Sequence, residues 1–445
     1  MFRDVWIWGA GYAAMSLSTM ARRGAMALVL AVVAPLALTA CSEDGGTPPS
    51  FVTPTQSAPE PAPASAEPLA LAVTPAEAAK NQPVSAEIGT RVTGGQVQTV
   101  TMTETGGAKV AGTMRADGSS FVPTKPLKYG KKYSATVVAV GPDGTTMEKK
   151  TSFTTMGRPS KKTGAGLYLF SDRSYGVAMP VVIEFTKPVP TAARAAVERR
   201  LFVTVEPPQP GIWHWSSSLQ VMYRGPQYWQ PGTKITVRAA LEGVPMGDGR
   251  YGDADRLGVG NIAKEKVELI VDNKTKRMQV FKNDVVVKTI PVSLGKTKTP
   301  SSSGTMVIMD KQQKTVFDTT DDPGNVDRYV VNIEYAQRLT WGGEYIHAAP
   351  WSVKDQGVRN VSHGCVNVSM ANAVYLFNLT SIGTPVTVKG TERRIKPANG
   401  WTAWSVGWAE YLKGSALPVP PELSALGDPD PTASALPSPS VSPTA

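Results

Sequence analysis

Short runs of alternating apolar and polar side chains, cut by turn sequences, constrain this chain more than any other feature. Gln96–Thr103, Tyr133–Val140 and Lys150–Thr155 alternate with period two. Turns fall between such runs at Thr105-Gly-Gly, Ala116-Asp-Gly and Pro142-Asp-Gly. Period-two patterning at this spacing, with no convincing helix, predicts a small β-sandwich over residues 68–156. A second unit, 157–262, repeats the theme with strands expected at Val181–Phe185, Leu201–Val205 and Lys234–Arg238. A third, 263–389, opens as a meander: Val267–Asp272, a turn at Asn273-Lys274, Arg277–Phe281, a turn at Lys282–Asp284, then Val285–Ser293. A closing strand is expected over 383–389. One helix is expected at Met370–Leu379, with Met370, Ala373, Val374 and Phe377 on one face and Ser369 as N-cap. The fold class is therefore mainly β.

At 445 residues the chain exceeds one core, and an apolar content of 41% permits globular domains. Its 37 Pro and 41 Gly gather in segments. Residues 42–67 are mostly Pro, Ala, Ser, Thr and Glu with almost no large apolar side chain, which reads as an extended tether. Residues 417–445 return to that composition and are expected to be disordered. The net charge of +10 raises the possibility of nucleic acid. Its Lys and Arg are dispersed, with no aromatic-basic stripe, so no nucleic-acid partner is expected. Contact with an acidic wall or an anionic lipid surface accounts equally well for the charge.

Two aromatic groupings stand out. Trp213-His214-Trp215 and Tyr228-Trp229 read either as a ligand platform or as core packing, and packing is favoured. After Lys389, the segment 390–416 carries Trp401, Trp404, Trp408 and Tyr411 at offsets of a helical face. A helix packed back onto the third unit is favoured over a carbohydrate-binding face.

The chain has two cysteines, Cys41 and Cys365, in different contexts. Arg22 and Arg23, the apolar run Ala25–Ala37 and Leu38-Thr39-Ala40-Cys41 resemble a bacterial export signal ending in a lipobox over residues 1–41, with Cys41 lipidated. An uncleaved anchor and an ordinary cleaved signal are the alternatives. Met20 as initiator would give a more ordinary signal. With Cys41 consumed, Cys365 is a lone thiol in an exported protein, and catalysis gives such a thiol a purpose.

Cys365 lies in Ser362-His363-Gly364-Cys365-Val366-Asn367, downstream of Tyr345-Ile346-His347-Ala348-Ala349-Pro350-Trp351. A cysteine nucleophile needs an imidazole to take its proton. Acyl transfer needs backbone N–H donors for the oxyanion, and Gly364 lets the chain turn tightly enough to supply them. The base in turn needs a group on its second ring nitrogen. Two of the three histidines precede this cysteine closely. A metal site is not expected, because His363, Cys365 and one distant histidine give at most three ligands.

This block, with His347 lying 18 positions before Cys365, resembles the signature of the YkuD-type L,D-transpeptidases. The order of lipobox, tether, two sandwiches, catalytic domain and Trp-rich end resembles the multi-domain lipoprotein branch of that family. The resemblance implies two immunoglobulin-like domains (68–156 and 157–262), a catalytic domain (263–389) and a C-terminal subdomain (390–416). It implies Cys365 as nucleophile and His347 as general base. Amides around His363, Gly364 and Cys365 would form most of the oxyanion hole, with Tyr329 contributing to it. Gly342 and Gly343 would line the donor cleft, Trp351 would wall it and Asn367 would bind substrate. Related enzymes often carry serine after the base histidine, where this chain has Ala348; the orienting group is usually considered the main-chain carbonyl, which alanine keeps. His363 is expected to brace the loop.

The implied reaction joins peptidoglycan stem peptides. Cys365 attacks the third residue of a donor tetrapeptide, meso-diaminopimelate in the family, expels D-alanine, and an acceptor amine resolves the thioester. The family's activity requires no cofactor, and carbapenems are expected to acylate the thiol. The alternatives are an L,D-carboxypeptidase and a non-catalytic wall-binding lipoprotein. The expected location is the extracytoplasmic face of the plasma membrane, held there by the lipid anchor.

Overall fold

The computed structural model describes residues 67–318, 320 and 330–427. The export segment with Cys41, residues 42–66 of the expected tether, Tyr329 and residues 428–445 lie outside the described residues.

The alternating runs form strands, as their period predicts. In the first sandwich, one sheet pairs Ala70–Thr74, Ile88–Thr93, Ser120–Pro123 and Gly112–Met114. The other pairs Ala79–Gln82, Thr146–Thr155, Lys132–Val140 and Gln96–Glu104. Along Lys132–Val140, Tyr133, Ala135, Val137 and Ala139 turn inward and are buried with Met102, Phe121 and Phe153. Each large apolar side chain removed from water this way stabilises the fold by about 1.5–3 kcal/mol.

The second sandwich stacks Ala165–Leu167, Val181–Phe185, Gln220–Arg224 and Ile212–Trp215 against Ser174–Tyr175, Arg256–Ile262, Lys234–Ala239 and Leu201–Glu206. It also contains a helix, Thr191–Glu198, which the strand pattern hid. Four alanines favour it, and Pro190 at the N-cap opens it. Trp213, Trp215 and Trp229 are buried in this core. His214 stacks on Tyr411 with ring centroids 4.4 Å apart, and its Nδ1 lies 2.7 Å from the Tyr411 carbonyl oxygen. Packing therefore occupies the aromatic cluster.

The C-terminal segment differs from expectation in two ways. It is not one helix: a 3-10 turn at Ala403–Ser405 is separated from the helix Trp408–Leu412 by Val406 in extended conformation and by Gly407. Nor does it pack on the third unit alone, because its aromatic rings find their partner in the second sandwich. Arg224, buried there, stacks between Trp404, Trp408 and Tyr411 and donates to the carbonyls of Ala403 (3.0 Å) and Val406 (2.8 Å). Trp401 and Trp408 share a core with Val307 and Met309 of the third unit, so the segment straps the two together. Order continues past residue 416. A short helix, Pro421–Ser424, buries Leu423, whose carbonyl accepts from Trp408 Nε1 at 3.0 Å. The expected disordered tail is thus folded as far as this helix. A second junction forms where Gly176 N–H donates to Ile382 O at 2.7 Å. A Cβ at Gly176 would stand 2.3 Å from Thr384 N, so only glycine permits that approach.

The third unit holds two sheets. The larger runs Val285–Pro291, Arg277–Lys282, Val267–Asp272, Pro385–Lys389, Ser302–Val307, Arg393–Arg394. The expected closing strand runs parallel to Val267–Asp272, with Leu269 opposite Val386. The smaller runs Asp310–Asp318, Val330–Arg338, Tyr345–Ala348, Val366–Val368. The helix Met370–Leu379 forms as expected, and Ser369 Oγ accepts from Asn372 N. Its most buried side chains are Ala373 and Leu376, so the buried face is rotated from the expected stripe.

Candidate active site

Strand register brings the chemistry together. Tyr345–Ala348 and Val366–Val368 pair in parallel, with Ile346 opposite Val366 and His347 opposite Asn367. Side chains alternate along a strand, so His347 and Asn367 project from one face. Cys365, two residues before Asn367 at the head of its strand, projects from the same face. His347, Asn367 and Cys365 line one cavity of about 200 Å³ together with Phe317, Trp351 and His363.

The turn before the strand is tied at several points. Ser362 Oγ donates to Cys365 O at 2.6 Å and accepts from Gly364 N at 3.1 Å. Gly364 has φ of +131°, a conformation that favours glycine. Its carbonyl accepts from Ser301 Oγ at 2.7 Å. The Gly364 amide, expected to help an oxyanion, is thus engaged within the turn. The bracing loop at 293–302 was not singled out from sequence, where its Gly, Lys, Thr and Pro look like any connection. His363 is exposed and lines the cavity, and its Nε2 accepts from Lys296 Nζ at 3.0 Å.

Cys365 and His347 are both buried. Burial pushes the Cys365 thiol up to about 12; a backbone hydrogen bond with Tyr345 opposes this and the Glu344 carboxylate adds to it. The thiol donates to Gly343 O at 3.6 Å. Burial also lowers the His347 pKa, against a hydrogen bond with the Ala348 backbone. His347 Nδ1 lies 2.8 Å from Ala348 O, so the main-chain carbonyl serves where a serine is often found. The Phe317 ring meets the imidazole edge-on at 5.6 Å and Trp351 lies tilted at 6.0 Å. These walls keep water from the ring. Burial thus favours the neutral form of the thiol and of the imidazole alike.

The remaining expected residues divide. Trp351 is about half exposed and walls the cavity. Asn367 is buried, its Nδ2 donating to Ser352 Oγ at 3.2 Å; its Oδ1 has no hydrogen-bond partner among the described residues. Gly342 and Gly343 are not among this cavity's described walls: Gly342 N–H donates to Asn399 Oδ1 at 2.8 Å, and Gly343 meets the thiol through its carbonyl. Tyr329 lies outside the described residues. Sequence reasoning missed Phe317 and Glu344. Glu344 is buried just before the Tyr345–Ala348 strand, accepts from Ser302 N (3.2 Å) and Oγ (2.8 Å), and pairs with Arg393. A charged residue between Gly343 and Tyr345 gives no periodic signal of burial.

Comparison with known proteins accords with this arrangement. The L,D-transpeptidase catalytic domain family, YkuD, matches residues 266–388, and the bacterial Ig domain family matches 79–245, across both sandwiches. L,D-transpeptidase 5 of Mycobacterium tuberculosis is 33% identical over 364 residues, covering 79% of this chain and 78% of that protein. L,D-transpeptidase 2 of the same species is 29% identical over 337 residues, covering 75% and 81%. L,D-transpeptidase 1 is 37% identical over 220 residues, covering 48% and 80%. Fold and site together define an acyltransferase of mostly-β architecture carried on immunoglobulin-like domains. More specifically, the chain belongs to the L,D-transpeptidase family.

Proposed function

We propose that this protein cross-links peptidoglycan between third-position diaminopimelate residues, through a thioester on Cys365. The observation that carries the reading is the parallel register of His347 with Asn367, which sets Cys365 and the imidazole on one face above one cavity. Cys365 Sγ attacks the carbonyl carbon of the third residue of a donor tetrapeptide while its proton passes to His347 Nε2. The tetrahedral oxyanion collapses, the bond to D-alanine breaks, and the departing amine takes the proton from His347. An acceptor amine then attacks the thioester, His347 receives its proton, and the thiol is restored. Neutral resting partners suit this sequence, since His347 takes one proton from each attacking group, the thiol and then the acceptor amine, and returns it to each departing one, the D-alanine amine and then the thiolate.

Export and lipidation at Cys41 complete the reading: the enzyme stands on the outer face of the plasma membrane, and the segment 42–67 reaches toward the wall. Cys41→Ser should release the protein into the soluble extracytoplasmic fraction; mass spectrometry finding native Cys41 unmodified would contradict this.

The deciding experiment is a muropeptide digest after incubating purified protein with tetrapeptide-bearing fragments. Dimers linked through two third residues, with released D-alanine, support transpeptidation. Trimmed monomers alone indicate that water resolves the thioester, a carboxypeptidase. Neither product, from folded protein, would leave only a wall-binding lipoprotein.

A further inference from the structure

A second cleft, of about 650 Å³, lies between the two sandwiches, far from Cys365 in the fold's order of domains. At its base, Glu87 of the first sandwich accepts from Arg115 Nε (3.1 Å) and Nη2 (2.7 Å), from Ser120 Oγ (2.5 Å) and from Arg200 Nη1 (2.6 Å) of the second. Arg115 Nη2 also donates to Arg199 O at 2.9 Å. One carboxylate therefore latches two domains. Burial alone would raise the Glu87 pKa, but the bonds from Arg115, Ser120 and Arg200 outweigh it and keep the group ionised.

The latch leaves charge over. Arg91 and Arg199 also line the cleft, both exposed, and neither guanidinium has an ion-pair or hydrogen-bond partner among the described residues. Glu87 is already paired with Arg115 and Arg200, so Arg91 and Arg199 add two further guanidiniums to the cleft wall. Ser119 also lines the cleft and is held in its loop by Asp117, whose Oδ1 accepts from the Ser119 amide at 3.0 Å. Guanidinium forks match the paired oxygens of carboxylate and phosphate, and a concave wall concentrates their field. The volume is many times the ~30 Å³ share of one water molecule, so it takes more than a lone small ion.

We propose that this cleft binds an anionic wall polymer through at least two of its oxyanion groups, held by Arg91 and Arg199. The sandwiches would then grip the wall as well as space the catalytic domain from its anchor. Such oxyanions could be the carboxylates of peptide stems or the phosphates of an anionic glycan.

The test is calorimetric titration of the full chain with pyrophosphate and with citrate, followed by co-sedimentation with insoluble cell wall. The double variant Arg91→Ala/Arg199→Ala should weaken probe binding and sedimentation by about tenfold or more. Lys264→Ala/Lys274→Ala, which removes the same charge at two exposed positions outside the cleft, should change them less than about twofold. Because the Glu87 latch is untouched, the melting temperature and turnover of a small soluble donor should stay at wild-type values, which separates this claim from the catalytic one. Tighter pyrophosphate binding points to phosphate as the source and tighter citrate binding to carboxylate; either supports the cleft. Absence of saturable binding to both probes, or equal losses in the two double variants, would overturn it.

Discussion

The Nδ1 nitrogen of His347 lies 2.8 Å from the carbonyl oxygen of the residue that follows it, Ala348. That carbonyl can only accept, so Nδ1 carries the proton and Nε2 presents its lone pair. The side chain at 348 plays no part in the contact. Ala348→Ser should therefore leave kcat/KM within about twofold, whereas His347→Ala should cost on the order of 10²–10⁴, the range of a general base. Steady-state kinetics on a soluble tetrapeptide donor would show both. A large gain from Ala348→Ser would mean a hydroxyl, and not the main chain, orients the imidazole.

The pH profile follows from the same burial. His347 is held below the ordinary histidine value, so the base form persists into mildly acidic solution. Activity should fall on the acid side only below about pH 6.5. No rise from thiolate formation is expected through neutral pH, because the Cys365 thiol is pushed up to about 12. Stability carries the same sign: the unfolded chain takes the histidine proton more readily, so this contribution is complete above pH 6.5 or so and declines as pH falls. A kcat/KM profile with a limb rising through pH 8–9 would contradict the neutral pair.

Glu344 lies near enough to Cys365 for its charge to raise the thiol pKa, with Arg393 as its counter-charge. Arg393→Ala would leave that carboxylate uncompensated beside the thiol and should slow alkylation of Cys365 by iodoacetamide at fixed pH. Glu344→Gln removes the charge while keeping an acceptor for Ser302, and should speed it. Equal rates in both variants would show that Glu344 does not act on the thiol electrostatically.

Much of this was legible in the sequence because period-two alternation and turn residues are local signals. Val181–Phe185 and Val267–Asp272 form strands at the expected residues. That His347, His363 and Cys365 share one cavity was legible for a different reason, since the Ser-His-Gly-Cys block and the preceding histidine are specific residue types, and Gly364 has the φ of +131° that favours glycine. What was hidden depends on distant partners. The orientation of the aromatic C-terminal segment was set by Arg224, nearly two hundred residues earlier, and no pattern within the segment reveals it. The Glu87 latch is equally silent, because Glu87, Arg115 and Arg200 come from separate connections of two domains.

Arg224 gives a stability prediction. Its guanidinium donates to Ala403 O, Val406 O and Gly225 O and stacks among three aromatic rings. Arg224→Ala removes the charged donor and leaves buried carbonyls unpaired, a loss of about 3 kcal/mol or more. Thermal unfolding should shift down, and limited proteolysis should cut first near residues 401–416. Arg224→Lys should rescue little, since an ammonium cannot span both carbonyls in a plane. An unchanged melting temperature would show that the strap does not depend on this residue.

The central claim is that Cys365 carries the acyl group, and intact-protein mass spectrometry after exposure to a carbapenem addresses it directly. The strained lactam carbonyl would occupy the place of the donor carbonyl and open onto the thiol, with no leaving group to depart. The account predicts one adduct of the full drug mass on the wild-type chain, localised to Cys365 by peptide mapping, and none on Cys365→Ala. An unmodified wild-type protein, or the same adduct on the Cys365→Ala variant, would contradict it.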